Sequence, residues 1–185
     1  ITLLVQNDIG YQNLTQLISR AYLEGQVHGE PCIRRSWLKD LGSGLIAFCG
    51  NKSDIGAALA GNRAPLAQQL LQEWMADFPD SFYLELVRCQ RPGEEEFVHS
   101  AVELAQNFDC PVVATNDVRF ISQEQFEAHE ARVCIVEGRT LDDPRRERRY
   151  SEQQYLKSVE QMQALFADIP EALENTVEIA KRCNL

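Results

Sequence analysis

Pro111-Val112-Val113-Ala114-Thr115-Asn116-Asp117-Val118-Arg119-Phe120 begins as an apolar run and breaks into a charged turn. A short apolar run bounded by turn signals reads as a strand buried on both faces, the kind found inside a parallel sheet. Three similar runs precede it, at 1–6, at 45–49 between Gly44 and Gly50, and at 82–87. Between the runs the apolar residues fall at helical spacing. Tyr11, Leu14, Leu17, Ile18, Ala21 and Tyr22 mark a helix that Gly25 stops. Residues 54–61 and 65–77 predict two more, the second with Leu66, Leu70, Leu71 and Trp74 on one side and Pro79 at its end. Pro92 and the acids 94–96 predict another opening, because proline fits the first helical position and acids suit the positive end of the dipole. That helix carries Val98, Val102, Leu104, Ala105 and Phe108. The stretch 26–43 reads as loop, with a helical turn near Ser36-Trp37-Leu38.

Strand–helix alternation argues for an α/β fold, a parallel sheet or barrel with helices outside. Chemistry in such folds sits at the carboxyl ends of the strands. The loops to inspect are therefore 6–10, 50–56, 88–93 and 116–120. Beyond 120 the pattern is helical only. Ser122, Ser151 and Ser158 each precede a glutamine by three positions, the spacing of a capping box. Between the helices lies the connector Asp142-Asp143-Pro144-Arg145-Arg146-Glu147-Arg148-Arg149, and a last helix at 171–183 puts Leu173, Val177, Ala180 and Cys183 on one face.

The chain has 185 residues, room for one domain of about 100–200. Its hydrophobic share of 44% and charged share of 25% exclude a disordered or collagen-like chain. A net charge of −10 argues against a stand-alone phosphate-backbone binder, so a nucleic-acid role has to be local, indirect or carried by a partner. No apolar run approaches the ~18 residues of a membrane span, and no basic-then-apolar leader is present, so no membrane partner is expected. The opening Ile1-Thr2-Leu3-Leu4-Val5 looks like a strand cut from a longer polypeptide. The six cysteines, at 32, 49, 89, 110, 134 and 183, form no C-x-x-C and no zinc spacing, which suits reduced thiols in a cytoplasm.

Asp117, directly after a buried strand, has the placement to bind a metal, accept a proton, cap the next helix or fix its loop. Asn51, Lys52, Ser53 and Asp54 follow Gly50 where a polar loop can cradle an anion, although no glycine-rich phosphate motif is present; capping of the next helix by Ser53 or Asp54 is the plainer role. His28, His99 and His129 are dispersed, and Val133 leaves H-E-x-x-H incomplete. Glu85 alternates away from Phe82, Leu84 and Leu86, and needs a partner such as Arg88, Arg119 or Lys52 if buried. Arg145, Arg146, Arg148 and Arg149 are candidate phosphate contacts or a solvated, ion-paired connector. No nucleophilic set assembles, so no catalytic residue is assigned.

The run 111–120, together with Leu3-Leu4-Val5-Gln6-Asn7, Gly10-Tyr11-Gln12-Asn13-Leu14, Tyr83-Leu84-Glu85-Leu86 and Arg91-Pro92-Gly93-Glu94-Glu95, resembles the PHP (polymerase and histidinol phosphatase) domain of bacterial DNA polymerase III alpha subunits. Thr140-Leu141-Asp142-Asp143-Pro144, the run 165–173 and the run 175–184 agree. The resemblance implies the later part of a distorted, TIM-like barrel of parallel strands. Residues 1–120 would be a strand–helix half-barrel and 121–185 a helical extension towards the polymerase palm. Metal-binding members carry further ligands on earlier strands and Asp-x-His where this chain has Asp117 and Arg119. Their cysteine ligand falls near Gly50-Asn51, with Cys49 one position early and on the other face. Arginine offers no lone pair, so the resemblance is to a degenerate branch. Asn51, Asn116, Asp117 and Arg119 are then candidate site-loop residues, Asp117 a vestigial ligand, and no metal or other cofactor is expected; Mg2+ would serve the parent polymerase outside this chain. The implied role is structural, docking the proofreading exonuclease subunit and other replicase subunits and meeting DNA through the parent protein. The alternative is a metal-dependent phosphoesterase, a 3′–5′ exonuclease or pyrophosphatase, completed by earlier strands. An unpaired first strand also predicts a non-physiological dimer of the isolated segment.

Overall fold

The computed structural model describes residues 1–185. The elements are β1 (Thr2–Val5), α1 (Asp8–Glu24), β2 (Gln26–Val27), β3 (Glu30–Pro31), α2 (Arg35–Leu41), β4 (Leu45–Cys49), α3 (Asp54–Ala60), α4 (Ala64–Asp77), β5 (Phe82–Val87), α5 (Glu94–Phe108) and β6 (Val112–Thr115). A 3-10 turn (Gln123–Gln125), α6 (Phe126–Glu137), α7 (Val159–Leu165) and α8 (Pro170–Arg182) follow. The sheet is an open one of four strands in the order β1-β4-β5-β6.

Strands β4, β5 and β6 run parallel, as their apolar runs predict, but β1 runs antiparallel to β4, with Thr2 opposite Phe48 and Val5 opposite Leu45. The pairing goes with a close approach between the start of α1 and the turn before β4, which two glycines permit. A Cβ on Gly10 would lie 1.9 Å from the Gly44 carbonyl oxygen, and Gly44 itself takes φ +75°. The end of β1 is thereby held at the beginning of β4, where Gln6 N–H donates to Gly44 O at 2.9 Å. That geometry brings the start of β1 beside the carboxyl end of β4.

Period-two alternation divides β5 cleanly. Phe82, Leu84 and Leu86 join Leu45, Ala47 and Cys49 in the main core beneath α3, α4 and α5, while Ile46, Phe48, Tyr83 and Val113 form a second cluster closed by Ile179 of α8. Helix α8 lies on that second face through Ile179, while Ala172 in its first turn packs in the main core, and Asn175 Nδ2 donates to Val112 O at 2.8 Å. Val177 and Ala180, placed on the apolar side by the sequence pattern, are exposed. The stripe is rotated because Asn175, a polar residue, supplies the bond that an edge carbonyl of β6 needs.

Three further expectations change. Within residues 26–43 the helical turn expected near Ser36 is present as α2, but the stretch before it is a hairpin of two-residue strands, β2 and β3, rather than loop. Helix α5 starts at Glu94 behind Gly93 at φ +79°, so Pro92 precedes the helix instead of opening it. Ser151 and Gln154 make a turn and no helix, whereas Ser158 and Gln161 form the reciprocal box that starts α7. Gln154 is completely buried, and its amide is committed elsewhere.

Candidate functional site

A cleft of about 310 Å3 opens at the carboxyl ends of β4, β5 and β6, with Thr2 of the reversed β1 at its rim. Each candidate site-loop residue lies in it: Asn51 after β4, and Asn116, Asp117 and Arg119 after β6. Asp117 sits at the centre. Its Oδ1 takes the Arg119 guanidinium at 2.8 Å, and its Oδ2 takes Arg91 Nη1 at 2.9 Å and Gln154 Nε2 at 2.9 Å. Asp117 fixes its own loop and caps no helix, since the next helical turn begins only at Gln123.

Arg91 and Gln154 were not singled out by the sequence. Arg91 is placed by Glu94, which is 3% exposed at the start of α5. Glu94 Oε1 pairs with Arg91 Nε at 2.5 Å, and Oε2 accepts from the backbone N–H of Cys89 at 2.7 Å and of Arg91 at 3.0 Å. Those orphan donors explain why a carboxylate is tolerated inside the fold. The signal available beforehand was the tight Arg91-Pro92-Gly93-Glu94 turn, whose acid reads equally as a solvated dipole partner. Gln154 was legible only as half of a capping box.

Glu85 points into the cleft on the side of Tyr83 and Val87, as its alternation predicts, and accepts from Thr115 Oγ1 at 2.7 Å. The expected ion pair is absent. Arg88 instead reaches Glu95 at 2.7 Å and Asp168 at 2.6 Å, tying α5 to the turn between α7 and α8 and holding the Asp168 carboxyl below its ordinary range. Ser53 caps α3 by accepting from Gly56 N–H at 3.2 Å, while Asp54 accepts from Ile55 N–H and Trp74 Nε1. Cys49 is buried in the main core, away from the cleft, and burial pushes its thiol up to about 12.

A divalent ion does not fit these residues. It needs several converging lone pairs, and both oxygens of Asp117 already face guanidinium or amide donors. Histidines are elsewhere: His28 is in the β2–β3 turn, His99 is exposed on α5, and His129 is buried on α6. Arg91, Arg119 and Lys52 supply the positive charge in the cleft.

The arginine connector folds back as an arm along α6. Arg146 is buried against Glu130 and donates to Cys134 Sγ at 3.0 Å, Arg149 pairs with Glu137, and Arg145 chelates Asp143 at 3.0–3.1 Å. Arg148 alone of the four makes no ion pair. The phosphate-contact expectation therefore loses three of its four guanidiniums to carboxylates within the arm.

Residues 1–89 match the PHP domain family. Over its full length the chain is 57% identical to the DNA polymerase III subunit alpha of Pseudomonas fluorescens, 59% to that of Pseudomonas aeruginosa and 53% to that of Escherichia coli K12. It spans 16% of the length of these relatives. The chain thus aligns along its whole length with one segment of that much longer subunit, and its first 89 residues are similar to the PHP domain family.

Proposed function

We propose that this segment is a non-hydrolytic structural module of a replicative DNA polymerase subunit, and that the longer polypeptide extends DNA by nucleotidyl transfer in the cytoplasm. One observation carries the reading. Asp117, the residue standing at the family's metal-ligand position, is closed by Arg91, Arg119 and Gln154. Two fixed guanidiniums replace the cation that a metal would bring, so the strand ends stay bound to one another without an ion. The module then presents its surface to the proofreading exonuclease subunit and other replicase subunits, and reaches DNA through the rest of the polypeptide.

Elemental analysis of the full-length protein tests the first part. Zinc and manganese well below one equivalent, unchanged in Asp117→Asn, agrees with it. Stoichiometric metal lost on Asp117→Asn would transfer the site to a phosphoesterase, with its remaining ligands on other strands. For docking, co-purification of the full-length protein with the exonuclease subunit is expected, and failure to associate ends that half of the reading.

A further inference from the structure

A second cleft lies beside α6, with Val118, Arg119, Phe120 and Ile121 on one wall and Gln125, His129 and Arg132 on the other. Its volume of about 430 Å3 is within the range of ligand pockets. In a chain of net charge −10, each charged residue lining this cleft is an arginine. Arg132 is exposed and has no carboxylate partner; its guanidinium meets only His129 Nδ1, at 3.5 Å.

That contact determines the imidazole. A guanidinium donates and never accepts, so Nδ1 is the acceptor and the ring proton sits on Nε2. His129 is 7% exposed, and its Nε2 finds no partner in the chain. Burial, then Arg132 and Arg119, hold the ring below its ordinary pKa. The cleft thus holds an imidazole N–H without an acceptor and a guanidinium, Arg132, without a carboxylate, beside Arg119, whose charge is already shared with Asp117.

The apolar part of the lining narrows the occupant. Phe120 is buried against Phe126 and His129, and Tyr150 sets its edge on the same imidazole at 4.7 Å. Phe120 is buried and offers no open face for a nucleobase, and Tyr150 does not line the cleft. The open surface is aliphatic, from Val118 and from Ile121 at 68% exposure. Carboxylate and aliphatic groups together match this lining better than a phosphodiester backbone.

We propose that this cleft docks an acidic, apolar peptide segment of a partner subunit, with a carboxylate taken by Arg119 and Arg132 and its apolar neighbours on Val118 and Ile121. It rests on reading the chain as part of a multi-subunit polymerase.

The test uses the full-length protein and an array of short peptides alternating glutamate with leucine or phenylalanine, the same array with glutamine for glutamate, and oligothymidylate. The expected result is binding of acidic peptides about tenfold tighter than of the glutamine set, as loss of one charge-assisted bond predicts. Arg132→Glu and Ile121→Ser, both at exposed positions, should each remove that preference while melting at the wild-type temperature. Equal binding of both arrays, binding unaffected by Arg132→Glu, or oligothymidylate binding that Arg132→Glu abolishes would each overturn the proposal. Primer extension by the same preparation separates the two failures. Active protein that ignores the peptides sinks only the cleft, and inactive protein counts against the polymerase reading itself.

Discussion

Replacing Arg91 with methionine should expose how far the cleft depends on charge gathered from distant parts of the chain. The substitution keeps the aliphatic stem and removes the guanidinium that bridges Glu94 Oε1 at 2.5 Å and Asp117 Oδ2 at 2.9 Å. The Glu94 side chain is 4% exposed, so water cannot replace the lost partner. Removing one member of a buried pair costs about 3–5 kcal/mol. Here the lower end applies, because Glu94 keeps its bonds from Cys89 and Arg91 N–H and Asp117 keeps Arg119 and Gln154. For a chain of this size a loss of about 3 kcal/mol lowers the melting temperature by roughly 6–12 °C. Scanning calorimetry of wild type, Arg91→Met, Glu94→Gln and the double variant measures both the cost and the coupling, expected at about 2 kcal/mol. Hydrogen exchange adds a local readout, with the Cys89 and Arg91 amides losing protection before those of β4. A shift under about 2 °C, or strict additivity of the two substitutions, would refute the claim that this bridge holds the strand ends together.

Two further outcomes are open to measurement. Because burial depresses the His129 pKa, an unfolded chain takes up a proton near the ordinary value of 6.5 that the folded ring refuses. Stability of the α6 arm should therefore fall as pH drops below about 6.5, with Arg132, Arg119 and Tyr150 around the ring, and His129→Phe should flatten that dependence in hydrogen exchange of α6. Gly10→Ala drives a Cβ onto backbone rather than a yielding side chain, and is expected to cost about 3 kcal/mol and release the β1–β4 amides to exchange, whereas unchanged protection there would contradict the close-approach account of the reversed strand.

Much of the fold was legible because its causes are short-range. Apolar runs at 45–49, 82–87 and 112–115 are strands because a chain buried on both faces needs no alternation, and the alternation in Phe82, Leu84 and Leu86 against Tyr83 and Glu85 told the two sheet faces apart. Ser53 and Ser158 act as caps because a hydroxyl three residues before an orphan amide needs no tertiary help. Ser151 and Gln154 carry the same pattern and fail to start a helix, because Gln154 N–H2 finds Asp117 across 37 positions and is buried there. The same capping spacing leads to two outcomes, decided by what lies opposite.

From its residues alone this protein declared an α/β strand–helix alternation, the loops where chemistry belongs, and an aspartate directly after a buried strand with an arginine two positions on. Periodicity and local capping act within a turn or two, so they survive without knowledge of the whole. Only the tertiary structure decided that β1 runs backwards, that Arg91 and Gln154 close on Asp117, and that the arginine arm spends its charge on Glu130, Glu137 and Asp143. Strand direction depends on long-range backbone pairing at the close approach that Gly10 and Gly44 permit, and charge pairing on which side chains the folded chain brings within reach.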